Sequence, residues 1–175
     1  MGTKLKLYKK AKSKKYLIKP ESVFMLGSIH KEMVPELKIR FTKGKRFLGV
    51  AKESTSAADF LRKVYPISQI EIQEIVIVLY LNNANQILGY YKHSIGAITS
   101  TIIDVRIIFG VALKCLATSI IVSHNHPSGN TKPSKADLEI TQNLKNGGKL
   151  LDIDVLDHII ITKKSFYSFS DEGDL

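Results

Sequence analysis

The seven residues Ile75-Val76-Ile77-Val78-Leu79-Tyr80-Leu81 constrain the fold more than any other stretch of this chain. Every position is apolar, so an extended segment here has no face suited to water, and such a strand belongs at the centre of a sheet covered on both sides. Helices are the usual cover. Ser54 or Thr55 can cap one from about Ser56 to Tyr65, where Ala57, Phe60, Leu61 and Val64 recur at helical spacing and Pro66 closes the run. Asp104 can cap a second, reaching about Ala117, whose Ile107, Ile108, Val111, Leu113, Cys115 and Leu116 predict a largely buried rod. A third is expected from Lys135 to about Asn146, with Gly147-Gly148 as its stop.

The remaining patterns read as strands. Asn82-Asn83-Ala84-Asn85 is turn chemistry, so Gln86 to His93 returns beside the central strand as a hairpin. Ile95 to Ile103, Ser119 to Ser123, Leu151 to Thr162 and Phe166 to Phe169 are further strand candidates, and Glu71 to Leu81 leads into the central one. Upstream, Val34 to Phe41 contains an alternating run and Lys43-Gly44-Lys45 supplies a turn. Strands, helix, strand, helix, strands is the order of an α/β fold with a mixed sheet and helices packed on it. With 175 residues, 44% of them hydrophobic, the chain is long enough for one sizeable core.

Charge divides the chain in two. Residues 1 to 63 hold 17 of the 26 Lys and Arg and 5 of the 16 acids, a balance of +12; residues 64 to 175 hold 9 bases and 11 acids, a balance of −2. Between Lys4 and Lys19, eight lysines alternate with apolar residues, a pattern suited in part to an edge strand and in part to disorder at its start. A basic segment beside a neutral domain fits a phosphate backbone such as DNA, or an acidic partner, and equally a solvated tail. The longest apolar run, Ile75 to Leu81, is far short of the roughly 18 residues that cross a bilayer. The lysine-rich start lacks the apolar core of a secretory signal. A cytoplasmic protein without a membrane segment is expected. Cys115, the single cysteine, excludes an intramolecular disulfide and a cysteine-based zinc site.

The chemistry concentrates after the strand Ser119 to Ser123. His124 and His126, at i and i+2, lie on the same side of an extended backbone, so both imidazoles can approach one ion. A catalytic zinc takes three protein ligands and keeps a position for water, and histidines with a carboxylate are a usual set. Asp137 follows beyond a loop containing Pro127, Gly129 and Pro133, and if Ser134 caps the third helix, Asp137 sits in its first turn facing the strand end. Ser134 and Asp137 have a second reading as a capping box. His158, after Asp157 in an apolar strand, reads either as a support behind a metal ligand or as a hydrogen-bonded core histidine. Ser123 is a candidate hydrogen-bonding partner within the site, Asn125 points away from it, and His30 and His93 have no companion at ligand spacing.

His-x-His, seven residues, Ser, two residues and Asp resembles the signature of the JAMM (MPN) metalloprotease superfamily. The stretch His124 to Gly129 with Pro133, Ser134 and Asp137, then Asp152-Ile153, Leu156 to Ile160 and Tyr167-Ser168-Phe169, is similar to its RadC-like branch. Gly89, Gly96, Thr101, Asp104, Arg106 and Phe109 add to the likeness, while Ile107 stands where that branch often has a glutamate. The resemblance implies a cytidine-deaminase-like JAMM/MPN domain over residues 67 to 175, preceded by a basic extension at 1 to 66.

It also implies zinc on His124, His126 and Asp137, a peptide or isopeptide bond as target, and Ser134 assisting the tetrahedral oxyanion. The implied proton carrier is a glutamate on an upstream strand. Glu74 matches best and Glu71 competes; three positions apart on one strand, they would face opposite sides. The alternative is a nucleic-acid-associated accessory or repair protein that uses the fold as a scaffold for its basic segment. Residues 1 to 66 show no sign of the helical DNA-binding module of longer relatives, which weakens the repair reading. A two-metal nuclease is disfavoured because one ligand set, without an acidic cluster, cannot hold two ions.

Overall fold

A computed structural model describes residues 49–96 and 102–175. The basic start, the Val34 to Phe41 strand with its turn, His30 and the middle of the Ile95 to Ile103 strand lie outside the described residues. The elements are α1 (Ser54–Val64), β1 (Ile75–Leu81), β2 (Ile87–Ile95), α2 (Val105–Cys115), β3 (Ser119–Asn125), α3 (Lys135–Leu151), β4 (Asp154–Ile161), β5 (Phe166–Ser168) and α4 (Phe169–Glu172).

The strands form one mixed sheet in the order β2-β1-β3-β4-β5, with β1 and β3 in its interior. The β3 and β4 strands run parallel, joined through α3 as a βαβ unit, and the other pairs are antiparallel. All seven residues of β1 are buried. Ile75, Ile77, Leu79 and Leu81 pack with Ile121, Ile159 and Ile161 under Ala57, Leu61 and Tyr65 of the α1 side. On the other face Val76, Val78 and Tyr80 pack with Ile120 and Val122 under Ile108, Phe109 and Ala112 of α2 and Leu144 of α3. Cover by helices on both faces explains why the strand has no polar alternation.

Five expectations are corrected. Helix α1 starts at Ser54 with Glu53 as its cap, and the Ser56 hydroxyl accepts from the Glu53 amide at 3.2 Å. Helix α2, capped by Asp104 as expected, is buried on one face only: Ile108, Phe109 and Ala112 are covered, while Ile107, Leu113 and Leu116 are exposed. Ile102 and Ile103 are not in a strand, and Glu71 lies in the turn before β1. Helix α3 continues through Gly147-Gly148 to Leu151 and ends on Asp152 in the left-handed conformation. The two glycines allow close packing: a Cβ on Gly148 would lie 2.4 Å from the Ile153 carbonyl oxygen, and one on Gly147 would lie 2.9 Å from the Phe109 ring.

Candidate metal centre

Because β1 and β3 are antiparallel with Val76 paired to His124, the entrance of β1 lies beside the exit of β3. Carried one residue past the strand ends, that register sets Glu74 across from His126. Alternation sends Ile120, Val122 and His124 toward α2 and α3, and Ile121, Ser123 and Asn125 toward α1.

His124, His126 and Asp137 converge in space. The two histidine Nε2 atoms are 3.0 Å apart. Asp137 Oδ1 is 3.2 Å from His124 Nε2, and its Oδ2 is 3.6 Å from His126 Nε2. The group can hold a metal ion. Both readings of Ser134 and Asp137 coexist: Asp137 Oδ2 accepts from the Ser134 amide at 2.7 Å and its hydroxyl at 2.6 Å, while Oδ1 turns to His124. The cap therefore anchors the Asp137 carboxylate on the first turn of α3.

The donor set fits a cation. His126 Nδ1 donates to the Asn130 carbonyl at 2.7 Å, which turns Nε2 toward the cluster. Burial works against ionisation of Asp137, but its contacts with His124, His126 and Ser134 outweigh it and hold the carboxyl well below its usual range. The hydrogen bond to Asp137 raises the His126 pKa against the opposing effect of burial. Two imidazole nitrogens and a carboxylate directed at one point call for positive charge between them.

Glu74 is half-buried, and burial raises its carboxyl pKa, opposed by the charges of His124 and His126. Glu71 is exposed and accepts from Lys163 Nζ at 2.8 Å. Of the two glutamates, Glu74 is thus the one in electrostatic reach of the cluster. Ser123 is corrected: its hydroxyl pairs with Tyr65 Oη at 3.1 Å on the α1 side, because it alternates away from His124. His93 accepts the Asp104 amide at 2.9 Å, at the entrance of α2. His158 lies directly behind the cluster, its Nε2 2.9 Å from His124 Nδ1. Its burial pushes its pKa well below the ordinary histidine value.

Two residues near the site escaped the sequence reading. Thr141 contacts His158 Nδ1 at 2.6 Å; its place one helical turn after Asp137 was the available signal. Asn130 meets His126 through its main-chain carbonyl, which side-chain identity does not reveal. Asn125 does point away, as expected, and there its side chain accepts from the Ile75 amide at 2.7 Å and donates to the Ile70 and Gln73 carbonyls at 2.8 and 2.9 Å.

Residues 51–174 match the RadC-like JAB domain family, a stretch that takes in every element from α1 to α4. A UPF0758 protein of Flavobacterium johnsoniae is 44% identical over 122 residues, which cover 70% of this chain and 53% of the relative. A UPF0758 protein of Methanosarcina mazei is 42% identical over 122 residues, with the same shares. One of Streptococcus gordonii is 35% identical over 148 residues, 85% of this chain and 65% of the relative. The chain spans about half the length of the first two. Among the described residues no helix is long and apolar enough to cross a membrane. The mixed five-stranded sheet flanked by helices accords with the JAB/MPN fold. Matched over most of its length, and with the His-His-Asp cluster inside the matched stretch, this protein belongs to the RadC-like JAB domain family.

Proposed function

We propose that this chain is a zinc-dependent hydrolase that cleaves a peptide or isopeptide bond. The observation that carries the reading is the convergence of His124 Nε2, His126 Nε2 and the Asp137 carboxylate within 3.6 Å of one another, with Glu74 in the same electrostatic field. His124, His126 and Asp137 would hold the zinc. When bound, the ion supplies a Lewis acid that acidifies a water and polarises the target carbonyl. Glu74 takes the proton of the attacking water and passes it to the leaving amine, a role favoured by a carboxyl whose pKa burial raises. The Ser134 hydroxyl, released from Asp137, donates to the oxyanion that develops on the carbonyl oxygen.

The test compares wild type with Glu74→Gln on a quenched fluorescent peptide library and an isopeptide-linked substrate. Loss of the proton carrier lowers the rate by roughly 10²- to 10⁴-fold while zinc content measured by atomic absorption stays the same. Equal rates in the two proteins would remove Glu74 from the mechanism. A wild type that neither retains nor takes up zinc would remove the metal centre itself.

A further inference from the structure

We propose that His158 and Thr141 form a buried relay that fixes the tautomer of His124, and that the main-chain carbonyl of Asp137 anchors it. The inference rests on the reading of His124 as a metal ligand and makes His158 and Thr141 positioning residues, not catalytic ones.

The direction of each hydrogen bond follows from proton inventory. Thr141 Oγ1 is 2.6 Å from the Asp137 carbonyl oxygen, which has no proton, so the single hydroxyl proton of Thr141 lies in that contact. Thr141 Oγ1 is also 2.6 Å from His158 Nδ1, and with its own proton committed it can only accept there. His158 is therefore protonated on Nδ1. A neutral imidazole has one N–H, so His158 Nε2 is bare and accepts from His124 Nδ1 at 2.9 Å. His124 then carries its proton on Nδ1 and presents the Nε2 lone pair toward Asp137 Oδ1, 3.2 Å away. The reverse orientation would leave the Thr141 and Asp137 oxygens 2.6 Å apart with no proton between them.

Water cannot replace a member of this chain: His158, Thr141 and His124 are 0%, 1% and 2% exposed. The His158 ring is held in plane by stacking on Phe169, with centroids 4.6 Å apart and planes 15° from parallel. Asp137 thus serves the centre twice, through its carboxylate as a ligand and through its carbonyl as the end of the relay that orients another ligand. One turn of α3 sets the distance between the two functions. Ligating histidines commonly donate their second N–H to a carboxylate or a carbonyl. Here a neutral histidine stands in between, which sets the tautomer without adding charge to the centre.

Long-range ¹H–¹⁵N correlation spectra of the full chain, metal-free and zinc-loaded, read the tautomers directly. The expected result is protonation of both His124 and His158 on Nδ1 in each state. The isosteric Thr141→Val deletes the acceptor, moves the metal-free His124 toward the Nε2–H form and weakens zinc affinity by about 10- to 100-fold in chelator competition, with Thr141→Ser restoring both readouts. A wild-type His124 protonated on Nε2 without metal would overturn the relay, as would a folded Thr141→Val with unchanged tautomers and affinity. The wild-type spectrum needs no variant to fold. Zinc binding and Nδ1 tautomers without peptide cleavage would sink the hydrolase reading and leave the relay standing.

Discussion

At the scale of single residues, Asn125 does the most with one side chain. It is buried between the two histidines in sequence, on the opposite face of β3, and its amide satisfies three main-chain groups of Ile70, Gln73 and Ile75. Those groups belong to the turn and strand entrance on either side of Glu74. An amide suits the task because it offers one acceptor and two donors. Replacing it with alanine leaves buried polar groups unpaired, at about 1–3 kcal/mol. Asn125→Ala is therefore expected to lower the denaturation midpoint in urea and to reduce peptide cleavage through misplacement of Glu74, while zinc content is retained. Zinc loss without a rate defect would contradict that division of labour. Alternation along an extended segment was enough to tell from the sequence that Asn125 faces away from His124. Its partners were not legible, because they are main-chain atoms about fifty residues upstream.

At the scale of elements, α3 shows how a local signal is overridden. Gly147-Gly148 reads as a helix stop because glycine weakens a helix interior. Yet the helix passes through both, since only residues without a Cβ let it approach Phe109 and the Ile153 carbonyl so closely. Alanine would gain about 0.5–1 kcal/mol from helix propensity at either position. At Gly148 the new Cβ would meet a backbone oxygen at 2.4 Å, which cannot move aside as a side-chain end can. Gly148→Ala is expected to be net destabilising by about 1–3 kcal/mol, measured by chemical denaturation. Gly147→Ala is expected to cost less, because the Phe109 ring edge at 2.9 Å can give way. A Gly148→Ala protein more stable than wild type would show that the approach is looser than described.

At the scale of the whole molecule, the candidate metal centre joins the exit of β3 to the first turn of α3, two elements separated in sequence by the Pro127 to Pro133 loop. A ligand that binds the folded state and not the unfolded one stabilises by mass action, about 2.7 kcal/mol at a concentration 100 times its dissociation constant. For a chain of this size that corresponds to a rise of roughly 5–10 °C in melting temperature. Calorimetry of chelator-stripped protein with and without zinc is expected to show that rise in wild type and none in His126→Ala. Identical melting of wild type in both conditions would argue against a preformed centre.

The sequence alone determined what short-range geometry can carry. The apolar run Ile75 to Leu81 made a central strand unavoidable, the i, i+2 histidines shared one side of an extended backbone, and Ser134 and Asp137 had the spacing of a helix entrance. These follow from strand and helix periods, which are properties of a few neighbouring residues. Only the tertiary structure decided the rest. The antiparallel register of β1 on β3 brought Glu74, and not Glu71, toward the cluster; the parallel register of β4 on β3, with α3 laid over the sheet, set His158 and Thr141 behind His124. Strand register is a property of chain segments that meet across long separations. No local window of the sequence contains it.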